Sequence, residues 1–302
     1  MKLNDIKNFS SIISGKLVFD YDLRNTNWFN IGGKTKIFFK PESLRELIDF
    51  LKIYKRRGKI FVLGAGSNVL FPDNTYEGVV IKLGKNFNRI SKLNEDTIIA
   101  GSNALDKGVS EYAMTNEIGG LEFLSCIPGS IGGGIRMNAG CYGREFKNIL
   151  VSVQATDLDG KVFTIPSKDI NFFYRGSDLN KEFIFLSATI KGEKSTKIQI
   201  KKKIENLKKK KELTQPTKIK TSGSTFKNPI GQSDKKVWQL IKESVPLEKT
   251  FGDASISEKH CNFFVNTGNA KFEDMKKLIN FVSESVFKKT GVKLEKEIKI
   301  LE

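Results

Sequence analysis

The segment from Ile127 to Gly143, IPGSIGGGIRMNAGCYG, constrains the fold of this chain most, because it places six glycines among apolar residues. Glycine adopts backbone conformations that other residues avoid, and it lets a ligand approach the main chain closely. A shorter glycine turn, Gly64-Ala65-Gly66-Ser67-Asn68, follows the apolar run Ile60 to Leu63. A glycine turn after a strand can present successive backbone N–H groups to a phosphate. Together the two clusters predict a site that holds a dinucleotide at both ends.

Neither cluster has one of the common phosphate-binding fingerprints. No Gly-Lys-Ser or Gly-Lys-Thr follows the first turn, so a Walker A loop is excluded. The GxGxxG spacing that opens a helix in Rossmann domains is also missing. A tight turn needs glycine for its own geometry, so a purely structural role stays open for the shorter cluster.

Hydrophobic spacing predicts strands and helices that alternate along the chain. A capping box at Ser43 and Glu46 predicts the start of the first helix, and Gly58 predicts its end. The pattern divides into three units of mixed α and β structure, at residues 1–85, 86–205 and 206–302. Strands are predicted at residues 36–40, 60–63, 79–83, 97–100, 151–156, 162–165, 184–190 and 293–301, and later helices at residues 105–116, 197–211, 237–243 and 273–290.

The net charge of +17, from 51 lysines and arginines against 34 acidic residues, favours an acidic partner. A nucleic acid, a small ligand with several phosphates, and lysines that only keep wet faces soluble all fit this charge. The densest basic run, Lys201 to Lys211, has Ile200 and Ile204 at helical spacing, which is typical of a helix with one wet face. No basic face with interleaved aromatics is recognisable, so no nucleic-acid partner is expected.

Cysteine usage and hydropathy indicate the reducing cytoplasm. Cys126, Cys141 and Cys261 lie apart with no CxxC spacing, which fits free thiols better than disulfides or a zinc site, so no metal is expected. The N-terminal segment lacks a continuous apolar core, and no stretch approaches the ~18 apolar residues of a membrane span. We expect a cytoplasmic protein with neither a membrane anchor nor an obligate protein partner.

Several ordered segments carry a family resemblance. The pairing of VLGAGSNVL with GLEFLSCIPGSIGGGIRMNAGCYG resembles the flavin-binding half of the UDP-N-acetylenolpyruvoylglucosamine reductases. FYR ending at Arg175, GSTFKNP ending at Pro229 and LEKEI ending at Ile298 match in the same order. NTNWFNIGG near Thr26 and SEKHCNFFVN near His260 match as well. The resemblance covers nearly the whole chain, and GSTFKNP together with IPGSIGG is its most specific part.

The resemblance implies an α+β flavoprotein with two FAD-binding α/β subdomains of the vanillyl-alcohol-oxidase/PCMH type and a C-terminal α+β domain that covers the substrate. The implied reaction is NADPH-dependent reduction of the enolpyruvyl ether of UDP-N-acetylglucosamine to UDP-N-acetylmuramate for peptidoglycan. The preference for NADPH over NADH comes only from the resemblance. The short spacing from Arg175 to Ser224 resembles the family's compact subtype, which lacks an insertion with a substrate-covering tyrosine. His260 is the only histidine and lies far from the glycine clusters, so the FAD is expected to be noncovalent.

Three residues match the family's catalytic positions. Arg175 would hold the substrate carboxylate with its guanidinium fork, although a surface ion pair is the alternative. Ser224 would donate a proton, because a carbanion-like enolate is basic enough to take one from a hydroxyl, and a turn-capping role is the alternative. Glu297 would assist protonation or polarise the carboxylate. Its rival is Glu295, and its alternative role is an ion pair at a strand edge.

The resemblance also implies binding residues for the cofactor and the substrate. An ordinary surface lysine is the open alternative for Lys227, and His260 is expected to be structural. Gly134 stands where the family usually has alanine, a small change that should not abolish function. The predicted FAD-binding residues are Gly64, Ala65, Gly66, Ser67, Asn68, Pro128, Gly129, Ser130, Gly132, Gly133 and Asn138. The predicted substrate-binding residues are Tyr142, Tyr174, Lys227 and Asn228.

Two other functions stay open on the residues alone. An oxidase or dehydrogenase of the same flavin fold, acting on a hydroxy acid or alcohol, explains the glycine clusters but leaves GSTFKNP and LEKE unexplained. A nucleic-acid-binding protein explains the charge and none of the motifs. The reductase accounts for both sets of motifs.

Overall fold

The computed structural model describes residues 3–301. In that part of the chain, no helix is long and apolar enough to cross a bilayer. The helices are α1 (Leu3–Ser10), α2 (Leu44–Tyr54), α3 (Asp106–Thr115), α4 (Ile131–Met137), α5 (Lys197–Thr214), α6 (Val237–Ser244) and α7 (Phe272–Thr290). The strands are β1 (Lys16–Asp22), β2 (Lys34–Lys40), β3 (Lys59–Val62), β4 (Val69–Leu70), β5 (Tyr76–Ile81), β6 (Ile90–Lys92), β7 (Thr97–Gly101), β8 (Ile118–Gly119), β9 (Gly140–Cys141), β10 (Arg144–Glu145), β11 (Leu150–Thr156), β12 (Val162–Pro166), β13 (Phe172–Phe173), β14 (Gly176–Ser177), β15 (Ile184–Lys191), β16 (Glu193–Lys194), β17 (Ala254–Ile256), β18 (Phe264–Asn266) and β19 (Lys299–Ile300).

The chain divides into two compact units, and each draws on three separate segments. Within the described part, unit 1 comprises residues 3–19, 37–65 and 77–210, and unit 2 comprises residues 20–36, 66–76 and 211–301. The predicted division into residues 1–85, 86–205 and 206–302 instead follows the order of the chain. That three-domain division stays a prediction.

Unit 1 contains a five-stranded antiparallel sheet in the order β12-β11-β15-β7-β6. The hairpin predicted from residues 151–165 is confirmed, with Val153 of β11 opposite Ile165 of β12. Successive side chains of a strand face opposite sides, so β15 serves two hydrophobic cores. Ile184 packs into one core and Phe185 into the other. A second sheet has the order β1-β2-β5-β3, with β3 and β5 parallel.

Unit 2 is built around helix α7. The predicted apolar stripe of this helix is confirmed, and Gly291 ends the helix in a left-handed conformation (φ 72) as predicted. The core beside α7 also contains Phe29, Ile31 and Leu70 from the early part of the chain. The fully buried residues of the α7 stripe are Met275, Leu278, Ile279, Val282 and Val286.

The glycine-rich segment folds as the short helix α4, which its composition disfavours. Each glycine costs roughly 1 kcal/mol relative to alanine inside a helix. Ile131 and Ile135 lie one turn apart and are fully buried, and the helix ends at Asn138 with a left-handed backbone (φ 41). Packing of the two isoleucines therefore makes this helix, since most helical stability in proteins comes from an apolar face.

The start of helix α2 agrees with the predicted capping box only in part. The hydroxyl of Ser43 accepts a hydrogen bond from the N–H of Glu46 at 3.2 Å, as predicted. The Glu46 carboxylate does not return to Ser43. It accepts instead from the N–H and hydroxyl of Ser14, at 2.8 and 2.7 Å, so this carboxylate ties α2 to the segment before β1.

Two predicted ends are wrong. Helix α2 stops at Tyr54 rather than near Gly58, because Lys55 already takes the left-handed conformation (φ 50) and closes the helix. The final strand is limited to Lys299–Ile300, although a strand was predicted over residues 293–301. The N–H groups of residues 297 and 298 both donate to the carbonyl of Thr225, so the chain there makes single bonds to a distant segment instead of a continuous ladder.

Candidate active site

Arg175 lies in the tight turn between β13 and β14, with a left-handed backbone (φ 57). Its Nη2 donates to the carbonyl of Gly140 at 3.0 Å, and its Nη1 lies 3.9 Å from a carboxylate oxygen of Glu145. The guanidinium lies 5.0 Å from the ring centre of Tyr174, and the side chain is 18% exposed. Arg175 is therefore a held, mostly buried cation, a suitable partner for a substrate carboxylate.

The hairpin of β9 and β10 carries Tyr142 at its turn. Gly140 pairs with Glu145 across this hairpin, and Tyr142 between them has a left-handed backbone (φ 53) and is 44% exposed. Because Arg175 donates to Gly140, the hairpin supports both predicted site residues. Burial raises the pKa of the Tyr142 phenol, and the nearby thiols add to the shift. The phenol is therefore protonated at neutral pH and can donate a hydrogen bond.

Asn138 fixes the base of this hairpin from the end of helix α4. Its Nδ2 donates to Glu145 Oε2 and to the carbonyl of Phe173, both at 3.0 Å, and its Oδ1 accepts from the N–H of Lys147 at 3.0 Å. These bonds use both amide hydrogens and the amide oxygen. Donation of a hydrogen bond to a cofactor by this fully buried side chain would require breaking one of the two Nδ2 bonds. The predicted FAD contact of Asn138 stays a prediction, and its contact with Phe173 connects α4 to the strand before Arg175.

Two of the glycines make room for the protein itself. A Cβ atom on Gly134 would lie 2.1 Å from the Phe146 ring, which fills the space that an alanine side chain needs. A Cβ atom on Gly66 would lie 2.2 Å from the carbonyl oxygen of Thr26, and its backbone is left-handed (φ 74). Glycine density therefore reflects close packing at these positions.

Ser130, Gly64 and Gly133 leave a place for a ligand in unit 1. Ser130 is 2% exposed, and its hydroxyl has no hydrogen-bond partner among the described residues. Cβ atoms on Gly64 and Gly133 would lie 2.6 and 3.6 Å from that hydroxyl, and Gly133 is exposed with no other neighbour within 4 Å. A buried hydroxyl without a partner beside two bare glycines fits a phosphate of the predicted FAD. The two glycine clusters thus meet at Gly64 and Ser130.

The other predicted FAD-binding residues are close in sequence to Gly64, Ser130 and Gly133. A Cβ atom on Gly132 would lie 3.1 Å from the Cβ of Ser102, so this glycine packs against strand β7's end. The contacts of these predicted residues with FAD stay predictions. Pro128 is exposed, whereas Ala65, Ser67, Asn68, Gly129 and Gly132 are half-buried and Gly66 is buried.

Asn68 contacts the segment that carries Glu297 in unit 2. Its Nδ2 donates to the carbonyl of Glu297 at 3.1 Å, and its own carbonyl accepts from the N–H of Lys299 at 3.1 Å. The N–H of Glu297 in turn donates to the carbonyl of Thr225 at 2.8 Å. The structure thus brings Asn68 and Glu297 beside Thr225, the chain neighbour of Ser224.

Ser224 is half-buried and follows Gly223, whose backbone is left-handed (φ 78). Its backbone pairs with Phe263. Its hydroxyl makes no hydrogen bond to another described residue. A turn-capping hydroxyl would need such a bond to the backbone, so the contacts of the described residues do not support the capping role.

The Lys227 side chain pairs with Glu295 rather than standing alone. Their charged atoms are 3.3 Å apart, and Glu295 is 67% exposed. Glu295, the rival of Glu297, therefore takes part in an ion pair with Lys227. Asn228 uses its side-chain oxygen to accept the N–H of Val237 at 3.1 Å, which caps the start of helix α6.

His260 has a packing role, in agreement with the sequence. Its ring meets the ring of Phe263 edge-on at 4.7 Å, and its Nδ1 accepts from the N–H of Asn262 at 3.3 Å. Burial lowers the pKa of the imidazole, so it is neutral at pH 7.

Two ionisable residues in or near helix α4 were not predicted, of which one is half-buried and the other fully buried. Arg136 of α4 donates to three carbonyl oxygens of residues 179–183 at 2.7 to 3.1 Å and lies over the Phe185 ring, and burial lowers its pKa to about 10. Asp106 begins helix α3 and is fully buried, which raises its pKa well above the usual range. An aspartate at a helix start is an ordinary sequence feature, so nothing in the sequence marked it.

The class of protein is indicated by three features of unit 1. These are its five-stranded sheet, the contact between its two glycine segments, and the position of Arg175. A family model described as the FAD binding domain matches residues 35–166, which include both glycine segments. The chain is thus an FAD-dependent oxidoreductase with FAD-binding subdomains of the PCMH type. A second model, described as the C-terminal domain of UDP-N-acetylenolpyruvoylglucosamine reductase, matches residues 215–301. The chain belongs to the UDP-N-acetylenolpyruvoylglucosamine reductase family.

Similar proteins cover the whole chain. A UDP-N-acetylenolpyruvoylglucosamine reductase of Pelagibacter ubique is 62% identical over 301 residues, which is 100% of both chains. One from Rickettsia bellii is 43% identical and covers 95% of this chain and 94% of its own. The solved structure of the enzyme from Thermus caldophilus has a TM-score of 0.82 at 28% identity, and covers 96% of this chain and 100% of its own.

Proposed function

We propose that Arg175, Ser224 and Glu297 carry the catalytic steps of the family reaction in this chain. That reaction is the NADPH-dependent, FAD-mediated reduction of UDP-N-acetylglucosamine enolpyruvate to UDP-N-acetylmuramate, a step of peptidoglycan precursor synthesis. Full-length identity of 62% to a reductase carries the assignment of the reaction. The proposed roles of the three residues are supported by how each side chain is held.

The chemistry supplied by bound FAD is hydride transfer from NADPH to the terminal vinyl carbon of the substrate. Negative charge then develops on the neighbouring carbon and on its carboxylate, and a fixed cation stabilises that charge most when its position is set in advance. Arg175 meets this requirement, since the Gly140 carbonyl and Glu145 hold its guanidinium. We assign the substrate carboxylate to Arg175.

The charged carbon must next receive a proton. The hydroxyl of Ser224 is half-exposed and unengaged by the described residues, which supports its role as the donor. Glu297 follows in the segment bonded to Thr225, next to Ser224 in the chain. A carboxylate at that place assists the proton transfer or polarises the substrate carboxylate.

Four further residues are proposed to bind the sugar nucleotide. Tyr142 and Tyr174 are the proposed contacts beside Arg175, because the same hairpin and turn carry them. Lys227 and Asn228 are the proposed contacts beside Ser224. Lys227 would have to exchange Glu295 for the substrate diphosphate, and the bond from Val237 to the Asn228 oxygen fixes Asn228 at the start of α6.

The proposed partner is the small-molecule substrate, with no nucleic acid, membrane or obligate protein partner. Family members act on a UDP-sugar, whose phosphates offer an acidic ligand for a basic chain. The cytoplasm is the proposed compartment, because the reductant NADPH and the nucleotide sugar are both found there.

A visible absorption spectrum of the purified protein tests this function. We expect flavin bands that bleach with NADPH in the absence of air and return when UDP-N-acetylglucosamine enolpyruvate is added. Bands that bleach and do not return would contradict the substrate assignment alone. A colourless protein that takes up no added FAD would contradict the flavoenzyme assignment as well.

A further inference from the structure

Asp106 is an acid enclosed by the protein at the start of helix α3. Its side chain is 0% exposed, and neither carboxyl oxygen has a hydrogen-bond donor among the described residues. Carboxylates at a helix start are usually stabilised by backbone N–H groups and by the helix dipole. This carboxyl accepts none of those bonds, so it gains little from ionising.

The acid lies directly against the glycine segment. The N–H of Asp106 donates to the carbonyl of Gly129 at 3.1 Å, and a Cβ atom on Gly129 would lie 2.6 Å from Asp106 Oδ2. The preceding residue, Leu105, pairs with Ser130. Asp106 thus contacts Gly129, the chain neighbour of Ser130, whose buried hydroxyl faces the proposed diphosphate.

Among the residues that the structure describes, no cation forms an ion pair with Asp106. On its own helix, Lys107 pairs with Glu111 at 3.6 Å. On the 3-10 helix Glu122–Cys126, which packs against α3, the Glu122 carboxylate lies 3.4 Å from Lys203. The Cys126 thiol lies next to Ser125, and strand β8 has no ionisable side chain. Burial is the cause that raises the pKa of Asp106.

We propose that Asp106 is a positioning residue for the FAD diphosphate, and that its carboxyl must keep its proton for the Gly129–Ser130 segment to receive the anion. The inference rests on the proposed placement of FAD on that segment. An ionised carboxylate under Gly129 would oppose the like charge of the diphosphate in a place that water does not reach. A protonated carboxyl carries no such charge and fills the same space.

Proton binding and FAD binding are therefore linked. The diphosphate favours protonated Asp106, so occupancy raises the affinity for the proton, and the proton raises the affinity for FAD by the same factor. Affinity for FAD should be constant while the acid stays protonated. It should then fall as the pH rises past the point where the flavin-free protein loses this proton, by up to about tenfold per pH unit.

Titration of the flavin-free full chain with FAD, followed by flavin fluorescence over roughly pH 5 to pH 9, tests this inference. The wild type should lose affinity with rising pH, whereas Asp106→Asn, a neutral side chain of the same shape, should keep a flat profile. Glu122→Gln is the matched control, because it removes a buried carboxylate that already has a cation. Its profile should follow the wild type.

A second measurement needs no variant. Calorimetry of FAD binding in buffers of different ionisation enthalpy should show net proton uptake by the wild type at the alkaline end. A flat wild-type profile without proton uptake would overturn the role of Asp106 while FAD binding itself persists. An equal loss of affinity in Asp106→Asn would overturn it too. Absence of FAD binding at every pH would overturn the proposed function along with it.

Discussion

Arg175 in unit 1 lies in a tight turn and Ser224 in unit 2 follows a bend at Gly223, and their side chains differ in how they contact the protein. The guanidinium of Arg175 is bonded to the Gly140 carbonyl at 3.0 Å and lies beside Glu145. The hydroxyl of Ser224 is bonded to no described residue, and a Cβ atom on the preceding Gly223 would meet nothing within 4 Å. One group is held by the protein, and the other is left open.

The difference corresponds to the two proposed tasks. A charge that stabilises a transition state works best when it needs no reorganisation, so it should be held in advance. A proton donor must instead reach the substrate, and each bond that it makes to the protein competes with that contact. Substitutions at Arg175 and at Ser224 can therefore test the two proposed tasks separately.

Removing the open hydroxyl should have the largest effect. We expect Ser224→Ala to lower turnover by roughly 10²- to 10⁴-fold, the usual contribution of a positioned general acid. FAD content and bleaching by NADPH should be unchanged, because both precede protonation. Stopped-flow absorbance separates the two half-reactions. Normal steady-state turnover would remove Ser224 from the proton-donor role.

Changing the held cation should have the next largest effect. Arg175→Lys keeps the charge but loses the planar fork, so we expect kcat/KM to fall about ten- to a hundredfold, as for a lost charge-assisted hydrogen bond. Arg56→Lys is the matched control, since Arg56 pairs with Asp159 and Glu182 on the exposed surface. Equal activity losses in both variants would show that Arg175 has no special place in the reaction.

The glycines allow the same contrast in the cofactor region. Gly134→Ala should lower the free energy of unfolding by about 1–3 kcal/mol, because its Cβ atom would lie 2.1 Å from the Phe146 ring. Gly133→Ala should leave stability unchanged or higher, because only the Ser130 hydroxyl is near, but it should weaken FAD binding. Denaturant unfolding and FAD titration measure the two effects.

A double variant sharpens this test. In a Phe146→Leu background, Gly134→Ala should cost less than in the wild type, since the smaller side chain vacates the space. An unchanged cost would mean that Phe146 is not the obstacle.

The smallest effect on stability and turnover should come from substitution of the exposed Glu295. Glu295→Gln should change the free energy of unfolding by less than about 1 kcal/mol, because its pair with Lys227 is exposed to water on the Glu295 side. Its turnover should stay near the wild-type value, whereas Glu297→Gln should be slower. The reverse order in steady-state assays would exchange the proposed roles of Glu295 and Glu297.

Sequence reasoning predicted the regular parts of the fold well, because periodicity reports which face of a helix or strand is buried. Helix α7 with its Gly291 end and the hairpin of β11 and β12 follow from such patterns. Helix α4 could not be predicted in this way. Its glycines oppose a helix, and it forms because Ile131 and Ile135 pack inside unit 1.

Sequence motifs predicted which residues form the site, but they did not predict the contacts and burial of those residues. The sequence motifs predicted that Ser224 and Glu297 act in the same site, and in the structure both residues are next to Thr225. The sequence did not indicate that Glu295 forms an ion pair with Lys227. It also did not indicate that the Asp106 carboxyl is buried without a hydrogen-bond donor among the described residues. Such properties depend on residues distant in the chain, so no local pattern contains them.

The core of unit 2 has a consequence for synthesis on the ribosome. Phe29, Ile31 and Leu70 emerge early, but their partners on helix α7 are among the last residues made. At roughly 5–20 residues per second, these apolar side chains wait about ten seconds or longer for a place to pack. A fragment cut at the family-model boundary, residues 215–301, would also lack them. The C-terminal region is therefore a late-assembling part of the chain that depends on segments translated long before it.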